Sequence, residues 1–136
     1  MTITSGFNHV ATLTTNMDRT VSFYETAFEA KVVFEIAKDD DHPWMKIIDL
    51  GAGASLNVFE VEPEEIVGER QRIGARGAID HYALAVDGRV TLERMRERLR
   101  LAGAHEVGEI KPLGAELSLF FRDPDGMELE ICCPAY

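Results

Sequence analysis

The sequence predicts an α+β fold of two βαβββ modules in tandem, on three observations. One order of apolar patterns, strand then helix then three strands, runs through residues 5–62 and again through 78–134. His9 and His81 stand at corresponding places in the two copies, 72 residues apart, and Asn57 and Glu130 correspond at 73. The chain has 136 residues, 46% of them hydrophobic, which suits one domain over 1–136 with a real core. Two copies at so long a period predict an internal duplication about a pseudo-twofold axis, not a solenoid.

The elements follow in order. Phe7 to Thr14 has strand character and ends before Asn16, a helix N-cap residue. Met17 to Ala30 is helical, with Val21, Tyr24 and Phe28 spaced as one apolar face. Lys31 to Ala37 reads as a strand, and Met45 to Leu50 and Ala54 to Val61 as a hairpin through Gly51-Ala52-Gly53. A polar linker fills 63–77, including the Gly- and Arg-rich VGERQRIGARG. Ile79 to Val86 opens the second module as a strand. Arg89 to Ala102 is a helix with Leu92, Met95, Leu99 and Ala102 on one stripe, stopped by Gly103. His105 to Ile110, Glu116 to Arg122 and Met127 to Cys133 are its three further strands, the last two joined by Asp123-Pro124-Asp125-Gly126.

Charge and cysteine use narrow the function classes. A net charge of −10 argues against nucleic acid, whose binders carry clustered positive charge. No apolar run reaches the ~20 residues of a membrane span, and Met1–Gly6 lacks a secretory leader's basic start. Cys132 and Cys133 are adjacent and cannot staple distant parts of a fold. The expectation is a cytoplasmic protein handling a small molecule.

Strand parity sorts the polar residues. His9 shares a face with Ala11 and Leu13, His81 with Ala83 and Ala85, and Glu130 with Glu128 and Cys132. Leu129, Ile131, Tyr82, Leu84 and Val86 supply the face that the helices cover, so His9, His81 and Glu130 face away from them. Two imidazoles and a carboxylate suit Zn²⁺, Fe²⁺, Mn²⁺, Co²⁺ or Ni²⁺, with other positions left to water or substrate.

The segments FNHVATLTTNMDRTVSFYETAF, IDHYALAV and FFRDPDGMELEI resemble the vicinal oxygen chelate superfamily. That group holds glyoxalase I, extradiol dioxygenases, methylmalonyl-CoA epimerase, fosfomycin-resistance enzymes and metal-free bleomycin-resistance proteins. The resemblance covers nearly the whole chain. It implies sheets that curl as a mixed sheet around a metal-binding cleft, with His9, His81 and Glu130 as ligands of a divalent ion. It also implies that Glu130 takes part in catalysis, and that chains pair as a homodimer to complete or cover the cleft. The family's fourth ligand position falls on Asn57, where many relatives carry Glu. Asn cannot accept a substrate proton at neutral pH, which sets this chain apart from glyoxalase I. Glu60 has opposite parity and points away unless a bulge turns it in.

The remaining polar residues read more plainly. His42 belongs to a solvated turn, His105 to a strand start, and Asp123 and Asp125 to a turn without the later ligands of a calcium loop. Arg89, Arg94, Arg96, Arg98 and Arg100 alternate with Glu93 and Glu97 as a salt-bridged outer face. Arg70, Arg72 and Arg76 belong to the linker, near the cleft mouth or an interface, and Cys132 serves packing. The functional expectation is a metal-dependent enzyme for a small substrate with two adjacent oxygens, by dioxygenase, isomerase, lyase or epimerase chemistry. The alternative is a binding protein that sequesters a small molecule without catalysis.

Overall fold

A computed structural model describes residues 2–69 and 77–136. Arg70, Arg72 and Arg76 therefore lie outside the described residues. The chain divides into two compact units, Met1–Ile66 and Val67–Tyr136. Each is a four-stranded mixed sheet with one helix, and neither sheet closes.

The first unit runs β1 (His9–Thr14), α1 (Met17–Phe28), β2 (Lys31–Ile36), β3 (Met45–Gly51) and β4 (Ala54–Glu60), with sheet order β1-β4-β3-β2. Asn16 caps α1 through its side chain, which accepts from the Arg19 amide at 2.9 Å. The helix packs on β2, β3 and β4. Its buried face is Met17, Thr20, Phe23, Tyr24 and Ala27, which keeps Tyr24 of the expected stripe and leaves Val21 and Phe28 half-buried. A search for apolar spacing passes over Thr20, whose hydroxyl is paired with that of buried Thr14 at 2.6 Å. That pairing removes the cost of burying either hydroxyl.

The second unit runs β5 (Tyr82–Ala85), α2 (Arg89–Ala102), β6 (Lys111–Leu113), β7 (Glu116–Arg122) and β8 (Glu128–Pro134), in order β5-β8-β7-β6. Leu92, Met95 and Leu99 of α2 are buried and pack toward β7 and β8, where Leu119, Phe121, Leu129 and Ile131 are fully buried. Each such side chain contributes about 1.5–3 kcal/mol through burial. Gly103 ends α2 at φ 89°, in the left-handed region.

Two strand expectations are corrected. The fifth strand starts at Tyr82, so His81 sits immediately before it. His105 forms only an isolated bridge with Arg122, and the strand comes later, at Lys111–Leu113. Glu106 at φ 51° breaks the extended run directly after His105. Pro112 is tolerated in β6 because that strand is the sheet edge.

Candidate metal centre

Register fixes which side chains share the face opposite α2. Ala83 and Ala85 on β5 pair with Glu130 and Cys132 on β8, which pair with Phe120 and Ser118 on β7. Glu130 sits within this face, 7% exposed, between small Ala83 and aromatic Phe120. A carboxylate so buried must be partnered. The Ser118 hydroxyl donates to its Oε1, and its Oε2 lies 3.2 Å from His81 Nε2.

His81 is held from two further sides. Its ring meets Phe120 edge-on, with centroids 5.2 Å apart. Its Nδ1 lies 2.7 Å from Asp80 Oδ2. An ionised carboxylate only accepts, so each ring nitrogen of His81 faces an acceptor oxygen, Asp80 at Nδ1 and Glu130 at Nε2. Ligand bonds of about 2.1 Å at angles of ~90–110° place two donors about 3.0–3.4 Å apart, so the pair fits a divalent metal.

In the first unit, His9 is exposed and shares its sheet face with Asn57 on the neighbouring parallel strand, where Ala11 is the register partner of Asn57. His9 Nδ1 lies 2.7 Å from Asn8 Oδ1. Asn57 is half-buried, and its Oδ1 lies 3.4 Å from Ser55 Oγ. The β1–β4 ladder runs in unbroken register from His9 to Thr14, so no bulge turns Glu60 inward. Glu60 instead accepts the Met17 amide at 2.7 Å, at the start of α1.

Sequence reasoning passed over Asn8, Asp80 and Ser118. A signal for the first two was present: an Asx residue precedes each histidine, at the same spacing of 72. Ser118 becomes visible only once β7 and β8 are in register.

The other polar residues fall away from this pair. A second group of potential ligands among the described residues, Glu116, Glu130 and Cys132, brings its donor atoms within 4.8 Å. Burial first, then the hydrogen bond and charge of Glu116, push the Cys132 thiol up to about 11, so it stays protonated at neutral pH. Deprotonation for metal binding is thereby opposed. His42 is half-buried rather than solvated, with Nδ1 2.6 Å from the Pro43 carbonyl and its ring against Phe59. Asp123 closes its turn by accepting from the Asp125 and Met127 amides at 3.0 and 2.9 Å. Arg89 pairs with Glu93, while Arg96 reaches off α2 to Glu109 and the Gly108 carbonyl.

A family model for the glyoxalase/bleomycin resistance protein/dioxygenase superfamily matches residues 6–131. No curated protein matches the sequence. Among solved structures, a glyoxylase/bleomycin resistance protein/dioxygenase domain from Frankia sp. EAN1pec superposes with TM-score 0.79 at 24% identity, over 96% of this chain and 98% of that one. Fosfomycin resistance protein FosX from Mesorhizobium loti gives 0.68 at 19% identity, over 95% and 91%. A mutant of FosX from Listeria monocytogenes, complexed with Mn(II) and 1S,2S-dihydroxypropylphosphonic acid, gives 0.69 at 19%, over 95% and 90%. At these identities the structural likeness is one of fold.

Proposed function

The chain belongs to the glyoxalase/bleomycin resistance protein/dioxygenase superfamily, and on that premise we propose that it is a metal-dependent enzyme acting on a small substrate with two adjacent oxygens. The observation that carries this reading is the His81–Glu130 pair, an imidazole Nε2 and a carboxylate oxygen 3.2 Å apart. His81 and Glu130 would hold the ion, with His9, of the same chain or of a second copy, as the third protein ligand. Mn²⁺ is the first ion to test, since the Listeria FosX mutant is complexed with Mn(II); Fe²⁺, Zn²⁺, Ni²⁺ and Co²⁺ suit the same donors.

Bound there, the metal would supply Lewis-acid stabilisation of negative charge on the substrate oxygens. Glu130 would neutralise one of its two charges, and Ser118 keeps it in place. The excess positive charge favours an anionic bidentate substrate, such as a catecholate, an enolate or a phosphonate. Ala83 and Ala85 leave room beside the pair. Asn57 offers no proton-accepting carboxylate, which disfavours glyoxalase I chemistry and leaves dioxygenase, isomerase, lyase or epimerase chemistry in play. We propose a homodimer as the working assembly.

The test loads purified protein with each ion and assays it against catechols, fosfomycin and the methylglyoxal–glutathione hemithioacetal. Turnover that needs the metal and is lost in His81→Ala supports the reading. Tight ligand binding without turnover, independent of metal, overturns it in favour of a sequestering protein.

A further inference from the structure

The His81 ring lies between two carboxylates, which compete for the single proton of its neutral form. Asp80 Oδ2 lies 2.7 Å from Nδ1, and Glu130 Oε2 lies 3.2 Å from Nε2. If the proton sits on Nε2, it bonds to Glu130 and both ligand atoms are consumed. If it sits on Nδ1, the Nε2 lone pair and the Glu130 oxygen are both free for a metal. We propose that Asp80 decides this competition: it is a positioning residue that pins the His81 proton on Nδ1, and Asn8 does the same for His9. The shorter contact goes to Asp80, at 2.7 Å against 3.2 Å to Glu130, and Glu130 also accepts from Ser118. In the first unit the acceptor is an amide oxygen, again at 2.7 Å from Nδ1. Among the described residues of that unit, no carboxylate is hydrogen-bonded to His9, and a neutral acceptor is enough. The difference between Asp80 and Asn8 thus follows the difference in what each histidine faces.

This inference rests on the metal-site reading for its purpose, but its first test needs no metal. Nitrogen-15 NMR of the imidazoles, in metal-free protein at a pH where the rings are neutral, reads which nitrogen carries the proton. The wild type should show His81 protonated on Nδ1. Asp80→Ala should move that proton to Nε2 and weaken Mn²⁺ binding, measured by calorimetry, about 10–100-fold. Asp80→Asn retains an acceptor oxygen, as Asn8 does, and should keep the Nδ1 proton and most of the affinity; it also serves if Asp80→Ala fails to fold. Asn8→Ala should shift the His9 tautomer and leave that of His81 unchanged. A wild-type Nε2 proton on His81, or an Asp80→Ala variant with unchanged tautomer and affinity, overturns the proposal. The expected tautomers together with no Mn²⁺ binding by the wild type would support the pinning and overturn the metal-site reading alone.

Discussion

Glu60 Oε2 accepts the backbone amide hydrogen of Met17 at 2.7 Å, which commits the carboxylate next along β4 from Asn57 to the first turn of α1. The bond satisfies an amide left unpaired at the helix start and sets a negative charge against the positive end of the helix dipole. Glu60→Ala should therefore cost about 1 kcal/mol of stability in urea unfolding, the size of a lost cap. Metal content should stay at the wild-type level. Loss of metal in this variant would mean that Glu60 serves the site after all.

Asn57 is the position that separates the candidate chemistries. It lies on the sheet face of His9, with no charge of its own. Wild-type turnover of the hemithioacetal should be weak, because no carboxylate there can move the proton. Asn57→Glu should tighten divalent metal binding and depress any catechol-cleaving activity by filling an open position. Robust wild-type glyoxalase turnover, measured side by side with the catechol assay, contradicts this.

Ser118 and Glu130 are buried together, 2% and 7% exposed. Ser118→Ala leaves a buried carboxylate oxygen without its donor, at a cost of about 1–3 kcal/mol. Chemical unfolding measures that loss. The same variant should bind metal more weakly, since Glu130 is then free to reorient.

The two helices end differently, and the difference is testable. Gly103 takes the left-handed position after α2, whereas Glu29 takes it after α1 at φ 57°. Left-handed backbone strains a residue with a Cβ. Glu29→Gly should raise stability by about 0.5–1 kcal/mol, read as a higher denaturation midpoint.

Much of this was legible in the sequence. Alternation placed Glu130 on the face turned from α2, because burial of Leu129 and Ile131 against α2 fixes the parity of β8. Arg89 to Ala102 and Glu116 to Arg122 have the observed bounds, since a long amphipathic stripe and a strong alternating run leave little choice. What escaped were features set by local conformation or by distant pairing. The left-handed Glu106 carries no mark in its residue type, and the Lys111–Leu113 strand is disguised by Pro112. Ser118 reaches Glu130 only through the β7–β8 register. Asn8 and Asp80 were visible as residues, and their bearing on the histidines needed the Nδ1 contacts.

Titration calorimetry of metal-free wild type, His81→Ala and Glu130→Gln with Mn²⁺ tests the central claim most directly. The wild type should bind about one ion per chain, and each variant should lose affinity by orders of magnitude. His81→Ala or Glu130→Gln binding as the wild type does would contradict the account, as would a wild type that binds no divalent ion.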